Sequence, residues 1–206
     1  MNRIVRNVIG FLLVFGIVFA ITGCKKEEDY SNVENPIVTM EFEEFGVVEI
    51  ELYPQVAPNT VKNFIHLIEN GFYDGLTIHR IVPGFVIQGG DPNGDGTGGP
   101  GYTIKGEFKS NGYNKNNLKH TQGVISMARR PTSNNSAGSQ FFIMLADHSS
   151  LDGDYAAFGK VISGMDVVFD ISTVATNKER PVDPVVIKKV TVDTKGHTYS
   201  EPDKIK

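Results

Sequence analysis

The feature that most constrains the fold of this chain is a succession of short apolar runs separated by turn residues. Most connections between the runs are too short to hold the crossover helix that a parallel sheet requires. The chain of 206 residues contains 22 glycines, which suits a fold with many turns. The pattern therefore favours a mainly β fold, and a closed antiparallel barrel over a parallel sheet. The apolar runs cover residues 37–45, 47–52, 76–82, 85–88, 123–127, 140–145, 156–162 and 185–192.

Local patterns predict a β-hairpin and two helices. The first two apolar runs alternate with polar residues on either side of Gly46, which is typical of a hairpin. Residues 60–70 carry apolar side chains at helical spacing, and we expect Asn59 to cap this helix and Gly71 to end it. A shorter apolar pattern predicts a second helix over residues 165–173.

The first 24 residues have the features of a bacterial lipoprotein export signal. Two arginines, at positions 3 and 6, precede an uncharged apolar run over residues 8–21. The run is shorter than the roughly 20 residues of a membrane-spanning helix, and small residues follow it, as in a cleaved signal peptide. The sequence ITGC at 21–24 resembles the lipobox, in which the cysteine, here Cys24, is lipidated and becomes the new N-terminus. The alternative is an uncleaved anchor helix with an incidental thiol.

These features predict how the chain is divided. We expect residues 1–23 to be the signal peptide and residues 24–35 to be the lipidated cysteine followed by a polar, solvated tether. Residues 36–194 are expected to form the folded domain, and residues 195–206 a loose polar tail. The protein is then extracytoplasmic and lipid-anchored to the bacterial cell membrane through Cys24.

Composition and spacing argue against several classes of protein. Twenty basic and 24 acidic residues give a formal charge of −4, so the chain lacks the basic surplus of a nucleic-acid-binding protein. A single cysteine excludes internal disulfides and a cysteine-based zinc site. The five histidines do not have the paired spacing of metal ligands. We therefore expect no metal, no cofactor and no nucleic-acid partner, and we expect a monomer.

Three further motifs are incomplete. Residues 91–96 resemble the start of a calcium-binding loop, but Tyr102 stands where that loop needs a glutamate. Glycines at 94, 96 and 99 match a dinucleotide-binding pattern, but Pro100 follows where the phosphate-binding helix should begin. Ser139 lacks the second flanking glycine of a hydrolase nucleophile elbow. The sequence therefore offers no metal, nucleotide or nucleophile chemistry.

Three blocks of sequence resemble the signature of the cyclophilins, the peptidyl-prolyl cis/trans isomerases. The first block is IHRIVPGFVIQGGD at 78–91. The second is GVISMA at 123–128 together with SAGSQFFI at 136–143, and the third is LDG at 151–153 followed by FGKV at 158–161. The blocks fall in family order, and the similarity extends over roughly residues 36–194.

The resemblance implies a closed eight-stranded antiparallel β-barrel capped by two α-helices, with the active groove on its outer face. It implies catalytic roles for Arg80, Phe85 and Gln88. It also implies apolar contacts to the proline ring and polar contacts that position the peptide. The substrate-binding positions are Val86, Gly96, Ala128, Arg129, Gln140, Phe142, Leu151 and Tyr155.

The implied activity needs no covalent step. Rotation of an X–Pro bond has a barrier of about 20 kcal/mol because amide resonance must be broken. The guanidinium of Arg80 can donate a strong hydrogen bond to the prolyl nitrogen when the X–Pro peptide bond is twisted. The same hydrogen bond is weak when the peptide bond is planar. The expected partners are proline-containing peptides and unfolded secreted proteins. One alternative is a chaperone or scaffold that binds proline peptides with little turnover. Another is a surface adhesin in which this domain is only a structural spacer.

Three departures from the family pattern involve four positions. Ser150 stands where many eukaryotic members carry tryptophan, which predicts weak binding of cyclosporin-class inhibitors. Tyr155 replaces a frequent groove histidine, although its hydroxyl can still donate a hydrogen bond. Arg129 and Arg130 replace small or amide residues, and their charge predicts a bias toward acidic peptides.

Overall fold

The computed structural model describes residues 28–205, so the predicted signal peptide, Cys24 and the first tether residues lie outside the described range. Within it, the helices are α1 (Pro58–Glu69) and α2 (Met165–Ser172), and no helix has the length and apolar character to cross a bilayer. The strands are β1 (Ile37–Phe42), β2 (Gly46–Leu52), β3 (Thr77–Ile78), β4 (Arg80–Val82), β5 (Val86–Gly89), β6 (Val124–Met127), β7 (Phe141–Met144), β8 (Ala157–Ser163), β9 (Thr176–Asn177), β10 (Arg180–Pro181) and β11 (Val185–Asp193).

The main sheet is a near-closed antiparallel barrel. Among the described residues it has nine strands, in the order β3-β11-β1-β2-β8-β6-β7-β5-β4. The two end strands, β3 and β4, belong to one apolar run that His79 interrupts, so the same run pairs with β11 on one side and with β5 on the other. Counted as one strand they give the eight that the family resemblance implies. The predicted fold class is therefore confirmed.

Strand β7 shows how the sheet separates two apolar clusters. Successive side chains of a strand point to opposite faces. Phe141 and Ile143 lie in the main core inside the barrel, whereas Phe142 and Met144 belong to a second cluster on the outer face. All four side chains are buried, because both faces of this strand are covered. The second cluster forms the apolar floor of the candidate site.

Helix α1 begins at Pro58, and Asn59 does not cap it. Proline is favoured in the first turn because its missing N–H needs no partner there. The buried carboxylate of Glu107 accepts hydrogen bonds from the backbone N–H groups of Asn59, at 3.0 Å, and Thr60, at 2.7 Å. The predicted N-cap was therefore wrong. The Glu107 carboxylate, 48 residues from Asn59 in the sequence, accepts from the backbone N–H groups that have no partner within the helix.

The other predicted local elements are confirmed. The hairpin forms between β1 and β2, with Gly46 at a φ of 124° at the start of β2. Helix α1 ends at Glu69, and Gly71 follows with a φ of 66°, in the left-handed region that favours glycine after a helix. Helix α2 ends one residue before the predicted boundary, which is within ordinary variation.

The C-terminal segment, residues 195–205, packs against the barrel and is not loose. Ile205 and Thr103 exchange two backbone hydrogen bonds, of 2.7 and 2.9 Å. The backbone N–H of Asp203 donates to Oδ1 of Asn59 at 2.7 Å. The expectation of a loose tail fails because these polar groups find partners on the domain that local sequence does not reveal.

Part of the predicted tether, residues 24–35, is also packed. Tyr30 is 4% exposed, and its ring stacks on Tyr199 of the C-terminal segment with centroids 5.6 Å apart. The side-chain amide of Asn35 donates to the carboxylate of Glu51 at 3.1 Å. From Tyr30 onward the chain is therefore part of the folded unit, because the two terminal segments cover one another.

Candidate active site

A recess of about 160 Å³ opens on the outer face of the barrel, over strands β4, β5 and β7. Nine residues line it, and each was singled out as a catalytic or substrate-binding candidate from the sequence. The structure therefore brings together side chains that the chain supplies from residues 80–88, 128–142 and 151–155. The lining residues are Arg80, Phe85, Val86, Gln88, Ala128, Arg129, Phe142, Leu151 and Tyr155.

Strand register aligns the polar and aromatic members of this set. Arg80 lies opposite Gln88 across β4 and β5, and Gln88 lies opposite Phe142 across β5 and β7. Phe142 in turn lies opposite Ser126 of β6. Directly opposed residues of an antiparallel pair project from the same face. A cation, an amide and an aromatic ring therefore stand in one row across the sheet.

A chain of hydrogen bonds fixes the two glutamines. Gln88 accepts from Nη1 of Arg80 at 3.4 Å through Oε1 and donates from Nε2 to Oε1 of Gln140 at 3.0 Å. The Nε2 of Gln140 donates to the carbonyls of Gly96 and Gly98, each at 3.0 Å. Each amide thus has its oxygen and nitrogen assigned by its partners, and Gln88 presents its oxygen to the guanidinium.

The floor of the recess and part of its wall are apolar, whereas Arg80, Gln88 and Arg129 supply polar atoms. Val86 and Phe142 are 2% and 5% exposed and form the floor. Tyr155 meets Phe142 edge to face, with centroids 5.7 Å apart, and Leu151 and Phe85 pack against the same cluster. An apolar ring placed here loses contact with water on several sides, which is the main source of affinity for such a group.

Sequence analysis missed a buried polar trio beside this floor. Nδ1 of His120 lies 3.2 Å from the carboxylate of Asp152, and Nε2 lies 3.2 Å from the hydroxyl of Ser126. Burial lowers the pKa of His120, so the ring is neutral at pH 7. Burial alone would raise the pKa of Asp152, but hydrogen bonds from His120 and Lys119 hold it below its usual value. The charged carboxylate can only accept, so Nδ1 carries the proton and Nε2 accepts from Ser126.

The signal that could have revealed this trio was incomplete. Ser126 and Asp152 lie inside the sequence blocks that carry the family resemblance, whereas His120 precedes them. His120 is six residues from Ser126 in the sequence and 32 residues from Asp152. The role of His120 therefore becomes visible when the strands are assembled.

Arg80 has a second partner, which the sequence did not indicate. Its Nε donates to the carboxylate of Glu179 at 2.7 Å, and the two side chains are 36% and 50% exposed. Glu179 belongs to the tight turn between β9 and β10, a small hairpin that was not predicted. With Nε and Nη1 engaged by Glu179 and Gln88, no partner for Nη2 is found within residues 28–205.

The two remaining predicted residues, Gly96 and Gln140, line a second recess of about 600 Å³ rather than the first. Ile205 of the C-terminal segment also lines it. The recesses share three residues and therefore form one groove, with a narrow part over the aromatic floor and a wider part beside the glycine-rich loop. The shared residues are Gln88, Ala128 and Arg129.

The motif at residues 91–96, which resembles a calcium-binding loop, stabilises the backbone of the loop that lines the wider recess. Asp91 is 1% exposed, and its carboxylate accepts backbone hydrogen bonds from Asn93 at 2.9 Å and Asp95 at 3.0 Å, and from Gly96. These bonds fix the glycine-rich loop, a role that aspartate often has in turns. Within residues 28–205, no group of three or more potential ligands is arranged to hold a metal ion.

The three departures from the family pattern differ in their surroundings. The guanidinium of Arg129 lies 4.7 Å from the ring centroid of Tyr155 and donates from Nε to the carbonyl of Asp154 at 3.0 Å. Arg130 is exposed and lines the wider recess. Ser150 is exposed in a short 3-10 turn beside Leu151 and does not line either recess.

Comparison with known proteins agrees with this geometry. The family model described as cyclophilin type peptidyl-prolyl cis-trans isomerase/CLD matches residues 37–192. The chain is 47% identical to peptidyl-prolyl cis-trans isomerase B of Bacillus subtilis over 137 residues, which are 66% of this chain and 91% of that protein. It is 43% identical to peptidyl-prolyl cis-trans isomerase CYP18-2 of Arabidopsis thaliana over 159 residues, 76% of this chain and 93% of that one.

A solved structure gives the same result at the level of the fold. The cyclophilin type isomerase of Cryptosporidium parvum, crystallised in the presence of the dipeptide Ala-Pro, is similar with a TM-score of 0.69 and 33% sequence identity. The match covers 76% of this chain and 98% of that one. The family model spans well over half of the sequence, so the predicted family and enzyme class are confirmed. This chain belongs to the cyclophilin-type peptidyl-prolyl cis-trans isomerases and accelerates cis/trans isomerisation of the peptide bond before proline.

Proposed function

We propose that this isomerase acts on exported proteins outside the cytoplasm, from a lipid anchor at Cys24, and that Arg80 drives rotation of the X–Pro bond without a covalent step. The observation that carries the catalytic part is that Arg80 lines the same recess as the apolar floor formed by Val86 and Phe142. The recess holds the proline ring, and the guanidinium faces the nitrogen of that ring.

The chemistry follows from what changes during rotation. In the planar amide the nitrogen lone pair is delocalised into the carbonyl, so the nitrogen is a poor acceptor. In the twisted state the lone pair is localised and accepts a hydrogen bond from Arg80. The bond is therefore stronger in the transition state than in the ground state, which is the condition for lowering the barrier.

The remaining groove residues hold the peptide while one side of it turns. Phe142 and Val86 retain the proline ring by apolar contact. The second N–H of Gln88 and the second lone pair of each glutamine oxygen bind the peptide backbone, because the other groups of these amides are engaged within the protein. The similar isomerase of Cryptosporidium parvum was crystallised in the presence of the dipeptide Ala-Pro, which supports an X–Pro unit as the ligand of this groove. Proline-containing segments of unfolded proteins are accordingly the substrates.

The catalytic part is tested by substituting Arg80. We expect Arg80→Ala to lower kcat/KM on a short X–Pro peptide by about 100-fold, the cost of removing one transition-state donor. Binding of the peptide, measured by NMR titration, should change far less because the apolar floor is intact. Equal rates for Arg80→Ala and wild type would overturn the role of Arg80 and mean that another group in the groove stabilises the twisted bond.

The location is supported by the sequence around Cys24 and by the slowness of the uncatalysed reaction. Isomerisation of X–Pro bonds takes tens to hundreds of seconds, so it can limit the folding of secreted proteins. We expect mass spectrometry of the native protein to find a diacylglyceryl-modified Cys24 at the N-terminus. Cys24→Ser should release the protein from the membrane fraction, and a chain that starts at Met1 would contradict the lipoprotein assignment.

A further inference from the structure

We infer that Glu179 is a positioning residue for Arg80, and that the β9–β10 hairpin (Thr176–Pro181) is held against β4 to present it. The inference rests on the catalytic role proposed for Arg80. Glu179 does not line either recess, so it acts on the substrate through the guanidinium alone.

The contact between the two side chains is direct. The carboxylate of Glu179 accepts from Nε of Arg80 at 2.7 Å, whereas Gln88 accepts from Nη1 at the longer distance of 3.4 Å. Hydrogen bonds between two charged groups are shorter and stronger than those to a neutral amide. Glu179 is therefore the firmer of the two supports.

Two supports fix the third nitrogen. The guanidinium is planar and rigid, so restraining Nε and Nη1 sets the position of Nη2. An arginine with 36% of its side chain exposed would otherwise sample several rotamers. The two acceptors come from different segments of the chain, the β9–β10 turn and strand β5. Glu179 thus converts a flexible surface arginine into a donor with one orientation.

The backbone of the hairpin is attached to the strand that carries Arg80. The backbone N–H of Ile81 donates to the carbonyl of Glu179 at 2.6 Å. Arg180 pairs with Asn177 across the hairpin itself. The carboxylate and the guanidinium therefore arise from neighbouring backbone positions, although they are 99 residues apart in the sequence.

The local backbone makes glutamate an unexpected choice at this position. Lys178 and Glu179 have φ values of 51° and 69°, in the left-handed region where asparagine, aspartate and glycine are better tolerated. Residues held in such conformations concentrate at functional sites, where another interaction compensates for the strain. Asparagine would suit the turn but is one methylene too short to repeat this contact. The contact with Arg80 requires a side chain longer than that of asparagine, which explains the glutamate at this position.

Two substitutions of Glu179 separate the backbone preference of the turn from the contact with Arg80. Glu179→Asn favours the backbone of the turn and removes the contact, so it should keep or raise the thermal unfolding midpoint. The kcat should fall by about ten-fold, because a misplaced donor stabilises the transition state less. Glu179→Gln keeps the length of the side chain without its charge, so its kcat should lie between the values for wild type and Glu179→Asn, about three-fold below wild type. In both variants KM should stay within about two-fold, because the apolar floor is untouched.

A spectroscopic readout reports the contact itself. In wild type the Nε–Hε group of Arg80 should give a resolved, slowly exchanging signal in ¹⁵N-correlated NMR spectra, assigned by its loss in Arg80→Lys. The signal should shift and exchange faster in Glu179→Asn. A merely structural hairpin would leave this signal and kcat unchanged when the fold is intact.

A double-mutant cycle separates this inference from the catalytic role on which it rests. Lysine has no Nε–H donor in a rigid fork, so in the Arg80→Lys background Glu179→Asn should cause no further loss. Equal losses in both backgrounds would overturn the positioning role while leaving Arg80 catalytic. Full activity of Arg80→Lys and Arg80→Ala would instead overturn the proposed function.

Glu41 provides the matched control. Its carboxylate accepts from Nζ of Lys188 at 2.7 Å on the surface of β1 and β11, with 40% of the glutamate side chain exposed. Glu41→Gln therefore removes a similar surface ion pair away from the groove and should leave kcat and the Arg80 signal unchanged. The inference fails if Glu179→Asn behaves like this control.

Discussion

His120 lies face to face with Phe142, with ring centroids 6.0 Å apart and ring planes inclined by 21°. Phe142 lines the recess, whereas His120 is 1% exposed and does not. The imidazole is held by Asp152 on one nitrogen and Ser126 on the other. A buried, neutral histidine therefore supports the aromatic floor on which the proline ring is proposed to sit.

This arrangement predicts how stability depends on pH. Burial holds the pKa of His120 below its ordinary value of 6.5, and the unfolded chain regains that value. Below about pH 6.5 the unfolded state binds a proton at His120 that the folded state does not, so the contribution of His120 to the free energy of unfolding should fall as the pH is lowered from about 8 to 5. Urea unfolding across this range measures the slope. His79, whose pKa burial also lowers, contributes in the same direction.

The contribution of His120 can be isolated by comparing slopes rather than absolute stabilities. His120→Gln removes the titrating group and should reduce the pH slope without abolishing it, because His79 remains. The substitution itself lowers stability at every pH, which does not affect the comparison. An unchanged slope would mean that His120 titrates alike in the folded and unfolded chains.

The packed C-terminal segment predicts a measurable contribution to stability. Tyr199 stacks on Tyr30, and we expect Tyr199→Ala to lower the free energy of unfolding by about 1–2 kcal/mol through lost burial and ring contact. Activity on a short peptide should be unchanged. Tyr199→Ala should add little in a Tyr30→Ala background, because the two rings share one contact.

Ile162, on the surface of β8 and 52% exposed, serves as the control for this prediction. Ile162→Ala removes an apolar side chain that is half in water and should change the free energy of unfolding by less than about 0.5 kcal/mol. If Tyr199→Ala lowers the free energy of unfolding no more than Ile162→Ala does, residues 195–205 do not contribute to stability through this contact.

The charge at the wider recess predicts substrate preference. Arg130 is exposed there, and an exposed ion pair contributes about 0.2–1 kcal/mol. We expect peptides with glutamate next to the X–Pro unit to have kcat/KM about two- to five-fold above their lysine counterparts at low salt, with the difference shrinking at high salt. Arg130→Gln should reduce the ratio.

Lys160, an exposed cation on β8 that lines neither recess, tests whether position or net charge matters. Lys160→Gln changes the net charge by the same amount as Arg130→Gln. It should leave the ratio between acidic and basic peptides near its wild-type value. If Arg130→Gln and Lys160→Gln change the ratio equally, the preference for acidic peptides arises from the net charge of the protein rather than from the position of Arg130.

Local sequence patterns predicted most of the secondary structure. The alternating residues around Gly46 formed the hairpin, and the helical spacing over residues 60–70 formed α1. The N-terminal boundary of α1 was wrong because Glu107 supplies the cap from another part of the chain. Periodicity depends on neighbours three or four residues away, whereas a cap can come from any segment that folding brings near.

The candidate site was predicted through sequence blocks rather than through local physics. Those blocks identified Arg80 and Phe142, and the strand register then placed both on one face. They did not identify Glu179 or His120, which act on these two residues from outside the blocks. Contacts between side chains distant in sequence depend on the register and twist of several strands at once.

The sequence by itself determined the class of fold and the order of the strands along the chain, because hydrophobic period and turn residues act locally. It determined the residue types of the groove through the three blocks that resemble the family. The tertiary structure decided which acceptor holds Arg80, which ring supports Phe142 and where the terminal segments pack. The physical reason is that each of these contacts joins surfaces that exist after the barrel closes. Their free energy depends on distances and burial that no single segment contains.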